Sequence, residues 1–146
     1  MAGIEDLKSS MIHIFADQMQ DLGARAFRER LRASLARNDV DFAAMPPAAQ
    51  HEFVAASHEQ AQRLGLRSEQ AVAAYALGAL WLGVGFEESS PLLEKLLSTS
   101  VPEVRKVHAM SEWVRDQLGA NSTPQSGDEA LRRSFALTAP WGVAGP

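Results

Sequence analysis

Residues 71–86 read AVAAYALGALWLGVGF, a run from Ala71 to Phe86 without a single charged side chain. A helix that is apolar all round is either the centre of a bundle or a membrane span. A span needs about 20 such residues, so this run is expected as a buried central helix without stable membrane insertion. Ser68 followed by Glu69 supplies an N-cap and an acid for its first turn, and Gly83 or Gly85 supplies its end. Ala74, Gly78, Ala79 and Gly83 are small enough to let neighbouring helices approach closely around Tyr75, Leu77, Leu80 and Trp81. The fold class that follows is all-α.

Working outward, Ala16 to Arg37 lacks proline and repeats Met19, Leu22, Ala26, Phe27, Leu31 and Leu35 at helical spacing, with acids early and arginines late. Ile12-His13-Ile14-Phe15 alternates as a short extended lead-in. Pro46-Pro47 opens a second helix carrying Phe53, Val54, Ser57, Ala61 and Leu64, closed by Gly65. Ser89-Ser90-Pro91 caps a short helix with Leu92, Leu93, Leu96 and Leu97. Ser100-Val101-Pro102-Glu103 starts another, whose stripe is Val104, Val107, Ser111, Val114 and Leu118 and whose end is Gly119.

The expected architecture is a single-domain bundle of about five helices over residues 11–119. Residues 1–10 are set aside as a disordered or added extension without a secretory signal pattern. Residues 120–146 are expected as a flexible tail, because 121–128 is rich in Ser, Pro and Gly, with a short helix over 129–137.

The absence of cysteine removes disulfides, thiolate metal sites and a cysteine nucleophile, and fits a reducing, cytoplasmic location. A net charge of −4 argues against a nucleic-acid partner, which selects a basic balance. His51 and His58 lie seven apart, about 10.5 Å of helical rise, too far to share a metal. They read as two solvated histidines on a polar flank, and His108 as a core-edge residue. Glu87-Glu88 reads as the charged loop that ends the apolar helix. No nucleophile elbow and no strand-anchored phosphate loop is present. The expectation is a protein that is not an enzyme, with no catalytic residues, no metal and no cofactor.

Candidate contact residues remain. Trp113 lies roughly opposite the Val104–Leu118 stripe, beside Met110, so that helix is apolar on two sides, the second covered by another helix or the tail or else contacting a partner; Trp113 is taken as solvent-facing and Trp81 as buried. Arg25, Arg28 and Arg32 share a face, and Trp141 offers an aromatic anchor in the tail. Trp113, Met110, Trp141, Arg25, Arg28 and Arg32 are therefore the expected protein-binding residues, and an apolar second face also suits a homo-oligomer.

Ile12-x-Ile14, Asp17-Gln18-Met19 with Leu22, and Phe27 with Arg30-Leu31 and Leu35 form one set of spaced positions. Ala61, Gly65, Ser68-Glu69 with Val72 and Tyr75, and Leu82-Gly83 with Phe86 form another. Across Ile12 to Leu118 this pattern resembles small helical accessory proteins encoded beside the spike and PAAR-type tip proteins of bacterial type VI secretion systems. The sequence departs from it at Glu87-Glu88, where such proteins often carry an aspartate, and lacks a tryptophan near the start of the fourth helix. The resemblance implies a non-enzymatic cytoplasmic adaptor or co-chaperone for loading an effector, with an effector, a dedicated chaperone or the spike as partner. The alternatives are an immunity protein neutralising a toxin and a small-ligand binder with a pocket around Tyr75, Trp81 and His108.

Overall fold

The computed structural model describes residues 22–138, and for 135–138 the backbone alone. The lead-in at Ile12–Phe15, the extension at 1–10 and Trp141 lie outside the described residues. Those described are mostly helical, and no strand occurs among them. They divide into two compact units, one ending at His51 and the other beginning at Glu52.

In the first unit, helix α1 covers 22–38 and buries Phe27, Leu31 and Leu35, spaced four apart on one face. Asp39 then leaves the helix and caps α2 (Val40–Ala44), its side chain accepting from Phe42 N at 2.8 Å. Gln50, in the first turns of α3 (Pro47–Arg63), closes the other end of α2 by donating to the carbonyls of Phe42, Ala43 and Met45. One amide thereby satisfies carbonyls that a five-residue helix leaves without partners.

In the second unit, α3 ends in a Schellman turn. Leu66 N donates to Ala61 O at 2.9 Å and Gly65 N to Gln62 O at 3.0 Å, with Gly65 at φ 79°. Ala61 and Leu66, the residues this motif brings into apolar contact, are both fully buried. Gly65 thus ends the helix as its sequence predicts. Helix α4 (Glu69–Leu82) starts from Ser68, which accepts from Ala71 N, and stops at Gly83. The chain turns back through Gly83 at φ 95° and Gly85 at φ 88° into a 3-10 turn, Phe86–Ser89. Ser90 caps α5 (Pro91–Leu97) with proline in its first turn, and Leu93 and Leu97 are buried.

Helix α6 (Glu103–Gln117) is the hub of this unit, in contact with α4, α5 and α7. Its first turn reads the α3–α4 junction at both ends. Glu103 accepts from the backbone N–H groups of Arg67 and Ser68 at the start of α4, and Lys106 Nζ donates to Leu64 O at the end of α3. Each charge faces the helix end of opposite partial charge. Val114 lies against Gly78 while Glu103 lies against Ser68, so α4 and α6 run in parallel.

The segment expected as a flexible tail with a short helix over 129–137 is helical from its proline onward: α7 spans Pro124–Thr138 and includes that stretch. The Ser/Pro/Gly composition of 121–128 is a helix start, not a linker. Thr123 Oγ1 accepts from Ser126 N and Ser126 Oγ accepts from Thr123 N, a reciprocal capping box followed by proline at the first helical position. Helix α7 packs antiparallel on α6, pairing Gln117 with Thr123, Trp113 with Asp128 and His108 with Ser134.

This packing reverses the expected faces of α6. Lys106, Ala109, Met110, Trp113 and Val114 are buried, whereas Val104 is 76% and Leu118 51% exposed. Of the expected stripe only Val114 points fully inward. Trp113 is 2% exposed and Trp81 49%, the opposite of the assignment made from spacing. Met110 with Trp113 offers more apolar surface to cover than the valines do, and α7 covers it. The core is a stack of rings, Tyr75 on Phe86 at 5.1 Å between centroids and Phe86 on Trp113 at 6.2 Å.

Candidate functional site

Helix α4 is apolar on every side, but its neighbours cover only part of it. Ala71, Val72, Tyr75, Ala76, Gly78 and Ala79 are buried, while Leu77 and Trp81 stand in solvent. Across from them α6 exposes Leu118. Between the two helices lies a groove of about 300 Å³, lined from α4 by Ala74, Leu77, Gly78 and Trp81. From α6 it is lined by Met110, Ser111, Val114, Arg115 and Leu118. The small residues Ala74, Gly78 and Ser111 leave the hollow, and the large ones wall it.

Gly78 has no room for a side chain. A Cβ there would stand 3.1 Å from the Phe86 ring and 3.2 Å from Val114 Cγ2. The Phe86 ring therefore backs the groove wall from inside, and what holds Phe86 also shapes the groove. The 3-10 turn that carries Phe86 is anchored by a buried polar cluster. Glu87 Oε2 accepts from the Tyr75 hydroxyl at 2.8 Å, and Glu87 Oε1 accepts from Gln60 Nε2 at 2.7 Å. The Tyr75 oxygen accepts from Gly85 N at 2.8 Å. Burial pushes the Tyr75 phenol well above its ordinary pKa, against the lowering effect of the Gly85 N–H, so it stays a neutral donor. The expected charged loop at Glu87-Glu88 is thus half wrong: Glu88 is exposed, but Glu87 is fully buried. Its partners are 12 and 27 residues distant, which leaves no local spacing to read.

The expected contact residues are not gathered in one place. Met110 touches the groove from its floor, and Trp113 is enclosed by α7, its indole N–H donating to Asp128 Oδ1 at 3.1 Å. As a surface anchor Trp113 is therefore corrected: the cover that α7 supplies comes from this chain. Arg25 is exposed and Arg28 half-buried. Arg32 is engaged by Glu29 and by Gln50 Oε1, and its hydrogen bond holds the Glu29 carboxyl below the usual range. Trp141 lies outside the described residues.

The histidines also divide. His51 is exposed, but His58 is buried rather than solvated, and His108 is exposed with a hydrogen bond to Ser134. Of the residues expected around a ligand pocket, the groove contains Trp81, while Tyr75 is fully buried and His108 is exposed, both outside its lining. Among the described residues no cluster of His, Asp and Glu could hold a metal ion, and no helix is long and apolar enough to cross a membrane.

Spacing alone missed Leu77, Leu118 and Arg115 as groove residues. The available signal was the pair of competing apolar stripes on α6: once one is covered from within, the other must face out. Comparison with protein-family models, with curated proteins and with solved structures finds no significant match to this chain.

Proposed function

We propose that this chain is a non-enzymatic protein-binding accessory factor that acts through the α4–α6 groove. The observation that carries the reading is a solvent-exposed apolar wall, Leu77, Trp81 and Leu118, around a hollow lined by small residues. Contiguous exposed apolar surface of this kind marks interaction sites, and a tryptophan beside a pocket is the residue most often found carrying binding energy. The resemblance in residues 12–118 points to the cell biology: an adaptor or co-chaperone in the cytoplasm that loads a type VI secretion effector onto the spike. In this reading the partner is an effector, its chaperone or the spike, and neither a cofactor nor nucleic acid takes part. A toxin-neutralising role would call for an acidic contact surface, and the groove lining contains no acid.

The test is affinity capture of the tagged chain from its native cells, comparing the intact protein with Trp81→Ala and with Leu77→Ser. Recovery of spike, tip or effector proteins that falls about tenfold with either change supports the reading. Equal recovery by all three proteins moves the interface away from the groove.

A further inference from the structure

We infer that the groove receives an amphipathic helix of the partner, two turns of which lie between α4 and α6 and present a carboxylate to Arg115. The inference rests on the protein-binding reading above and specifies what binds. From Ala74 to Trp81 is seven residue steps, about 10.5 Å of rise, so the hollow matches two turns of a helix. Its walls decide the conformation of the occupant. The lining offers hydrogen-bonding side chains at Ser111, Arg115 and the indole N–H of Trp81, too few to pair the backbone of an extended segment, and the backbone N–H groups along this stretch of α4 and α6 are used within their own helices. An extended segment pressed into this surface would leave its N–H and C=O groups without partners, whereas a helix satisfies them internally. Small residues at Ala74, Gly78 and Ser111 also permit the close axial approach that helix packing requires.

Charge decides the occupant's flank. The chain carries −4 overall, yet the exposed strip of α4 (Gln70, Ala74, Leu77, Trp81) holds no acid. The strip of α6 facing it, from Val104 through Ser111 and Arg115 to Leu118, holds none either, and Arg115 is its one guanidinium. The Arg115 side chain is 77% exposed and pairs with Glu112 across 3.6 Å, beside the groove. Arg115 is the exposed member and the Glu112 side chain is half-buried, 26% exposed, so at 3.6 Å the guanidinium keeps donors open to a better-placed carboxylate.

The experiment places the photo-crosslinker p-benzoylphenylalanine at Leu77, and separately at Leu118 on the opposite wall, in the full chain expressed in its native cells. The crosslinked peptide is then identified by mass spectrometry. The expected product is a segment of another protein with apolar side chains every three to four residues and Asp or Glu on one flank. Its yield should fall about tenfold with Arg115→Glu and persist with Arg115→Lys, both variants melting like the parent. Crosslinks to a second copy, to this chain itself, to a segment without acid or without helical spacing, or to nothing would each overturn the inference. Crosslinks to an acid-free segment, with capture still lost in Trp81→Ala, would overturn this inference and leave the protein-binding reading standing.

Discussion

Gly127 of α7 rests directly on the indole of Trp113: a Cβ built at Gly127 would stand 2.6 Å from Trp113 Nε1 and 2.8 Å from Cδ1. The ring cannot yield, because its other side stacks on Phe86 and its N–H is held by Asp128. Gly127→Ala should therefore destabilise the protein. Alanine gains about 1 kcal/mol of helix propensity over glycine. Displacing a wedged ring costs about 1–3 kcal/mol, with about 1 kcal/mol more if the Trp113–Asp128 bond is lost. The net expectation is a loss of about 1–3 kcal/mol in denaturant unfolding, with reduced anisotropy of the tryptophan environment in near-UV circular dichroism. Unchanged stability would mean that α7 does not sit on Trp113.

Gly78 poses the same question on the groove side. Gly78→Leu must push either the Phe86 ring or Val114, and a net loss of about 1–3 kcal/mol is expected even though leucine favours the helix. Displacing Phe86 or Val114 also reshapes the groove wall that they support, so partner capture should fall further than the loss of stability explains. A melting transition identical to the parent would remove Gly78 from the α4–α6 contact.

The parts of this fold that sequence discloses are those governed by neighbours in the chain. Ser68, Ser90 and Gly65 announce helix ends because capping and the left-handed turn are local chemistry. Thr123-Pro124 is equally local, but glycine and serine in the same stretch outweighed it when read by composition. The face of α6 was not legible, because two stripes competed and the choice lay with α7, of which the sequence reading placed only 129–137 as a short helix in a flexible tail. The groove is the consequence of that choice. Glu87 was illegible for another reason: a carboxylate in a core is explained only by Tyr75 and Gln60, which the fold brings from other helices.

That cluster supplies a third test. Tyr75→Phe keeps the ring stack on Phe86 but removes a donor from Glu87 and an acceptor from Gly85 N. Leaving buried polar groups unmatched costs about 1–3 kcal/mol. Glu87→Gln should also destabilise, since one amide oxygen cannot accept from both Tyr75 and Gln60 in the places the two carboxylate oxygens hold. Combining the changes should show a coupling of at least about 0.5 kcal/mol in a double-mutant cycle of urea unfolding. Strict additivity would show that the two residues do not share a network.

Glu103 carries the pH dependence. The backbone N–H of Arg67, with a further contribution from Ser68, holds its carboxyl below the usual glutamate range, and Lys106 adds to the same direction. A folded-state pKa below the unfolded value means that the stabilisation is fully present above about pH 4.3 and is lost as pH falls through the lowered folded value. The group is largely open to solvent, so the contribution should stay below about 1 kcal/mol. Glu103→Gln retains an oxygen for the α4 N-terminus but not the charge that faces the helix dipole and Lys106. The variant should be less stable than the parent at pH 7, and the two should converge as the parent's carboxyl protonates. Urea unfolding from pH 7 down to pH 3 checks this, and a difference that stayed constant across that range would assign the effect to packing rather than to the charge of Glu103.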